Sequence, residues 1–566
     1  MGASLRALRA LVLLAGFYLL SVVLLVLLGL LYWGAGLWLS GAIMGKLLIG
    51  LVVLAIPVLR GLFMLRTPKV DGTRGVPVTE AREPVLWRTV HEIAAEVGTR
   101  APDEILLVED VNAAVSEDAR LLGLRPGTRR LVIGLPLMAG LDEWELRAVL
   151  AHEMGHYANL DTRLTPLIVR GQSQLRRTIG HFHDRADRTE SRERVRQEER
   201  AARRTAKGKK AKEIDTDGEG LSYRIMAGVY TRYAKFYMRA TLSASRRQEF
   251  AADLAAVRVA GRDATASALR ELNVLDPAHS FYMRCYATVG LDAGLMPLPG
   301  QVFGGLRHLL EARAEELDAR RSELPTEPTD PYDSHPALAD RVARVEALPD
   351  DGLASRTALP SLALLADADA AMAALEPLVL TPAALALRRL DWADLVHESM
   401  THRVARGTES FREALTAEGV IAPPPTDEEA PAPDSAAPDT NAPHAPSAPA
   451  PARPADALPA LLDAFDADPG VRGRLTNRFP RSEDAAAATG RAAREISRAV
   501  LREALDELVG AELMARGTIR WQLSWSEPTT LRYPADDFEE RLESALDAAV
   551  ADSCDTAPLR KLVFAP

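Results

Sequence analysis

Two histidines four residues apart, His152 and His156 in "LRAVLAHEMGHYANLDTR", carry the first recognisable chemistry in this 566-residue chain. On a helix that spacing puts both imidazoles on one face. Neutral imidazole is a good zinc ligand, and two ligands on one rigid helix lose little entropy on binding. Glu153, beside the first histidine, can take a proton from a metal-bound water. The plainer alternative is a pair of histidines on an ordinary amphipathic helix. A catalytic zinc needs three protein ligands and a further position for water. The metzincin pattern would put Gly at 159 and His at 162; Asn159 and Thr162 stand there, which excludes that class. Cys285 and Cys554 are the only cysteines, so a thiolate site and a disulfide framework are both excluded. What remains for the third ligand is a carboxylate from a second helix. "SASRRQEFAADLAAV" offers Glu249 and Asp253 on one helix face. One of the two can bind metal while the other accepts a hydrogen bond from the far nitrogen of a ligating imidazole. By itself, such a pair is usually a solvated helix face.

The elements that must position these groups follow from periodicity. Leu146, Val149, Leu150, Met154 and Tyr157 recur at helical spacing, so the histidines lie on a helix beginning near Asp142. Asp142, Glu143, Glu145 and Arg147 make that helix water-facing, against an intramembrane protease. Upstream, "REPVLWRTVHEIAAEVG" predicts a helix with Pro84 at its start and Gly98 at its stop. Glu104 to Asp110 predicts a buried strand. "RLLGL" and "RRLVIG" predict a hairpin turning at Pro126-Gly127. Residues 184–217 are almost all charged, a solvated helix or a disordered loop. From Leu221 a long helix is expected to run through Glu249 and Asp253. Met226, Val229, Tyr230, Tyr233, Phe236 and Tyr237 form its apolar stripe, and Arg224, Arg232, Lys235 and Arg239 share another face.

The chain is too long for a single core. Its net charge of -10 argues against nucleic acid as a partner, and the scarcity of cysteine suits a reducing compartment. Ala10 to Trp33 runs uncharged for longer than the roughly 20 residues that a bilayer core needs. A second apolar stretch, 38–65, is broken only by Lys46 and Arg60, so residues 1–70 predict a two-span hairpin, with spans at 10–33 and 38–65. Arg6 and Arg9 before it, and Arg60, Arg66, Lys69 and Arg74 after it, put both ends in the cytoplasm. The expected order is then a catalytic domain over 71–350, a helical extension over 351–420, a Pro/Ala-rich linker over 421–457 and a C-terminal module over 458–566.

Three stretches taken together resemble the HtpX and CAAX-prenyl-protease family of membrane zinc metallopeptidases. They are His152-Glu153-Met154-Gly155-His156, the run Ser245 to Asp253, and "SHPALADRVARV" with His335, Pro336 and Arg341. Asn112 and Ala113 match an Asn-Ala that family members carry after a strand upstream of the zinc helix. The resemblance covers about residues 1–350. It implies one zinc ion on His152, His156 and Glu249, with Glu153 as general base and Asp253 behind a histidine ligand. It also implies that His335 steadies the tetrahedral intermediate and that the strand at Asn112 and Ala113 binds an extended peptide. Arg341 is assigned to the substrate side. Two departures are plain: the region after the zinc helix carries the charged insertion instead of further spans, and the last 200 or so residues match nothing familiar.

The expected fold class is mainly α with a small antiparallel sheet beside the zinc helix. The expected function is a membrane-anchored zinc metalloendopeptidase in the plasma membrane, with a cytoplasmic catalytic domain. Its expected partners are the lipid bilayer and protein or peptide substrates, as in membrane-protein quality control. The rival reading is a membrane-anchored scaffold with a structural or vestigial zinc site.

Overall fold

The computed structural model describes residues 3–38, 74–117, 127–158, 165–205, 220–326, 336–354, 356–423, 457–479 and 488–564, with isolated positions between 41 and 55 and between 207 and 218. Helices dominate. The contacts divide the chain into one unit of Met1–Pro277 with Glu315–Ala371 and another of Ala278–Ala314 with Met372–Pro566.

In the first unit, helix α1 (Ala3–Gly36) is followed by strand β1 (Val76–Val78), helix α2 (Pro84–Val97), strands β2 (Glu104–Val108), β3 (Ala113–Glu117) and β4 (Arg129–Gly134), and helix α3 (Leu135–Gly140). Then come the helices α4 (Glu143–Ala158), α5 (Thr165–Thr205), α6 (Leu221–Ala260) and α7 (Arg262–Tyr282), the last belonging to this unit as far as Pro277. Helix α2 starts and stops where Pro84 and Gly98 predict. Proline lies at its first turn, and Gly98 at φ 79° closes it with N–H bonds to Ala94 and Ala95. The charged run predicted as helix or loop is helical as far as Thr205.

The sheet corrects one expectation. Its order is β1-β2-β4-β3, and β2 pairs parallel with β4, so it is mixed and not antiparallel. The antiparallel partner of β4 is β3, which lies further upstream than the predicted "RLLGL"; that stretch lies outside the described residues. The chain reaches the sheet edge with β3 and returns to insert β4 beside β2. Local turn chemistry at Pro126-Gly127 announces a reversal but cannot announce which strand fills the gap. Gly134 ends β4 against the loop: a Cβ there would lie 1.8 Å from the carbonyl oxygen of Asp110.

Helix α4 begins with a reciprocal cap. Glu145 N–H donates to Asp142 Oδ1 at 2.8 Å, and Asp142 N–H donates to Glu145 Oε2 at 2.9 Å. Leu146, Leu150, Ala151 and Met154 are buried on its inner face, packed on α6. Contact there is close, since a Cβ on Gly155 would come within 3.0 Å of Ala255 Cβ and 3.2 Å of Ala252 Cα. The opposite half of α6 packs with α5 and α1 around Leu175, Phe182, Tyr230 and Tyr237, with Leu20, Leu24 and Leu25 of α1 on the rim. Ser21 Oγ lies 2.5 Å from Tyr230 Oη, and a Cβ on Gly16 would meet Tyr233 Oη. Earlier residues of α1 thus meet later residues of α6, so the two helices run antiparallel.

Helix α1 contains an apolar window, Leu19–Gly36, that is long enough to cross a membrane and is almost wholly unburied. It is the only such helix among the described residues, and most of the predicted second span lies outside them.

The second unit has its own core around Phe411, Leu415, Leu461, Phe465, Leu505 and Leu546. Two small sheets pair Leu295–Pro297 with Arg388–Leu390 and Arg520–Gln522 with Thr530–Arg532. Of the Pro/Ala-rich linker expected over 421–457, residues 424–456 lie outside the described residues.

Candidate metal centre

Helices α4 and α6 bring three donors together. His152 Nε2 and His156 Nε2 are 3.2 Å apart. Glu249 presents Oε2 at 3.6 Å from the first and Oε1 at 3.7 Å from the second. Tetrahedral ligands held at 2.0–2.1 Å from zinc stand about 3.3 Å from one another, so three donors within 4.8 Å fit such an ion. Two imidazoles and one carboxylate are also a donor set that zinc favours. Glu249 is only 5% exposed, so its carboxylate is fixed by the α4–α6 interface.

Behind the donors stands a second carboxylate. Asp253 Oδ1 lies 3.0 Å from His152 Nδ1, which leaves Nε2 turned toward the other donors. Asp253 is held in turn by Arg341, whose Nε and Nη2 donate to its two oxygens at 3.1 and 2.6 Å. Arg341 comes from helix α8 (Leu338–Glu346), anchored by Val342 and Val345 against Leu269 and Ala266 of α7. Its Nη1 also lies 3.9 Å from Glu249 Oε2. The guanidinium expected on the substrate side is thus spread over the two carboxylates. Burial works against charge on His152, but hydrogen bonds to Asp253 and Glu249 overcome it and push the imidazole up to about 9 in the metal-free protein. Burial would raise Asp253, yet His152 and Arg341 hold it below the usual carboxylate range.

Glu153 is half-buried, and its charge acts on His152, Tyr157 and Arg341. Asn112 is exposed at the entry to β3, and Ala113 is buried as its first residue. Strand β3 forms the sheet edge beside α4. His335 lies outside the described residues, although Pro336 and Ala337 just after it are buried.

Residues 80–348 match peptidase family M48. This stretch is a peptidase family M48 domain. It contains every donor just described. A Protease HtpX homolog of Listeria monocytogenes is 34% identical over 86 residues, which are 15% of this chain and 27% of that protein. One of Tropheryma whipplei is 33% identical over 85 residues, 15% of this chain and 28% of that protein. Protease HtpX of Pseudomonas fluorescens is 27% identical over 197 residues, 33% of this chain and 55% of that protein. The chain therefore spans between about a quarter and about a half of the length of these relatives. No solved structure gives a significant match.

In the sequence Tyr157 stands only as part of the apolar face of α4. Its hydroxyl leaves that face and donates to Val115 O of β3 at 2.7 Å, while Arg129 lies 4.8 Å from its ring centroid. Burial pushes the phenol up to about 12, so it remains a donor at neutral pH. A polar atom at the end of an otherwise apolar stripe was the available signal.

Proposed function

We propose that the chain is a membrane-anchored, zinc-dependent endopeptidase. The observation that carries this reading is the convergence of His152, His156 and Glu249 within 4.8 Å, inside a family M48 domain. The three would hold one zinc ion, which when bound supplies Lewis-acid polarisation and makes water more acidic. Glu153 is the general base: it accepts the proton of the attacking water and returns it to the departing amine. Asp253 keeps His152 in one tautomer, and Arg341 keeps Asp253 in place while also facing the substrate. His335 steadies the developing oxyanion. Asn112 and Ala113, at the start of an edge strand, bind an extended peptide through its backbone, which is a sequence-tolerant mode of recognition.

Membrane attachment is supported by the exposed apolar window of α1, which needs lipid around it. From Tyr230, opposite Ser21, helix α6 runs about 28 Å to Glu249 at 1.5 Å per residue. Because α1 is antiparallel to α6, that path leads to the end of α1 bearing Arg6 and Arg9, the end that the positive-inside bias assigns to the cytoplasm. The second span at 38–65, the plasma membrane as the site and a role in membrane-protein quality control complete the proposal. The HtpX names of the relatives favour protein or peptide substrates.

Glu153→Gln tests it. The variant should keep zinc near one atom per chain, because both imidazoles and Glu249 remain, yet lose at least about 100-fold in hydrolysis of an unfolded reporter, the smallest usual cost of losing a general base. Full complementation of a deletion strain by that variant would return the chain to the scaffold reading.

A further inference from the structure

Strand β3 has an inner and an outer set of backbone groups. Gly134 N–H donates to Asn112 O at 2.8 Å while Asn112 N–H donates back to Asp110 O at 2.9 Å, so Asn112 turns its C=O toward β4, and Ala114 and Ser116, next in the alternation, turn both their N–H and C=O groups there. Ala113, Val115 and Glu117 therefore turn theirs outward, to the edge where an added strand would pair. The hydroxyl of Tyr157, one residue after His156, reaches this outer side and takes the Val115 carbonyl.

We propose that Tyr157 is a stop on the edge strand: its hydroxyl closes the Val115 carbonyl, limits an extended peptide to pairing with Ala113, and so determines the length of substrate recognised. This inference rests on the strand-addition reading given above. An added strand bonds to alternate residues of its neighbour, Ala113 first and Val115 next. The N–H that pairs with Val115 would stand about 2.9 Å from its oxygen, the place that Tyr157 Oη holds at 2.7 Å. Swinging the side chain away would expose a half-buried ring and break its contact with Arg129. Arg129 cannot follow, because it is tied to Glu117 at 3.0 Å and to Thr99 Oγ1 at 3.0 Å. Opening would therefore give up the Tyr157–Val115 hydrogen bond and the Arg129 contact to gain one hydrogen bond, and the ladder ends at Ala113.

The test uses the full-length, zinc-loaded protein in detergent and a nested set of unstructured fluorescent peptides cut from one reporter sequence, each two residues longer than the last. In the wild type, kcat/KM should rise with length and then level off. Tyr157→Phe keeps the ring under Arg129 but frees Val115 O. It should add one further step of about 3–10-fold, the size of one net hydrogen bond, in KM and not in kcat, at unchanged zinc content. The same series measured by fluorescence anisotropy on Glu153→Gln, with and without Tyr157→Phe, should show the same step in binding. If that binding step appears but the wild type cleaves no peptide, the peptidase reading fails and the assignment of Tyr157 stands. If Tyr157→Phe has the length profile of the wild type, or if no peptide binds either protein, the assignment is overturned.

Discussion

The two halves of α6 do different work with different side chains. Its first half meets α5 and α1 through large rings: Tyr230 and Tyr237 are fully buried, and the Phe182 and Tyr230 rings lie 5.4 Å apart. Its second half meets α4 through Ala252 and Ala255, both buried opposite Gly155. The distance between packed helices is set by the side chains at the contact. Rings hold the helices of the bundle apart and fill the gap with apolar volume. Alanine against glycine lets α4 and α6 approach until the short Glu249 and Asp253 side chains reach His152 and His156. A centre built from one residue of Glu and one of Asp per ligand pair requires that closeness, and the bundle does not.

Breaking the close contact should therefore cost more than cutting a bond in the wide one. Gly155→Leu forces a side chain into a space where even a Cβ meets Ala255 at 3.0 Å. Overpacking of that kind costs about 1–3 kcal/mol, and the separated helices should lose zinc by more than about 100-fold in affinity, since a ligand displaced by an ångström no longer coordinates. Tyr230→Phe removes only the hydroxyl that meets Ser21 at 2.5 Å in the other half. It should cost about 0.5–1.5 kcal/mol and leave zinc affinity alone. Chelator competition and denaturant melts on both variants check the pair. Equal zinc affinity in Gly155→Leu and wild type would mean that the spacing of α4 and α6 does not set the centre.

Within the close half, the two carboxylates of α6 are separable. Asp253→Asn keeps all three donors but cannot hold both His152 Nδ1 and Arg341 as an anion does. Zinc should bind about 10–100-fold more weakly, the usual effect of losing a partner behind a ligand, and a smaller loss than that of Gly155→Leu. Affinity equal to wild type would remove Asp253 from the set that orients His152.

Much of this half was legible before the fold. The period of Leu146, Val149, Leu150 and Met154, and the start near Asp142, follow from local rules that the structure obeys. Glu249 and Asp253 were legible as a same-face pair, although their choice as partners of His152 needed the resemblance. What stayed illegible is long-range. The parallel pairing of β2 with β4 depends on which strand fills a gap, not on either strand's own residues. The contact of Tyr157 with Val115, and that of Ser21 with Tyr230 across 209 positions, join segments whose local patterns say nothing of each other. Arg341 was singled out by its motif, but its grip on Asp253 becomes visible only once α8 is seen against α6.

The smallest expected effect lies at the start of α4, where two forces on Glu145 oppose each other. Its carboxylate sits in the first turn of the helix, where a negative charge is favoured by about 0.3–1 kcal/mol. It is also only 8% exposed, and burial raises its pKa above the ordinary 4.5, although hydrogen bonds from Ser267 and Asp142 pull it down and the nearby charges of Asp142 and Glu271 push it up. The raised value means that the folded state binds the proton more tightly than the unfolded chain does. Stability should then fall as pH rises from the unfolded pKa through the higher folded one, with the penalty complete above both. Glu145→Gln still serves as the third residue of the reciprocal cap and removes the titration. At neutral pH the variant should be as stable as the wild type or more so, by up to about 1 kcal/mol, because the buried charge is gone while the cap remains. In mildly acidic solution the advantage should shrink, as the wild-type carboxyl takes up its proton. Thermal melts of wild type and Glu145→Gln across that range measure the difference directly. A variant less stable than the wild type at neutral pH, and gaining on it as the solution is acidified, would mean that the helix terminus favours the charge by more than its burial costs.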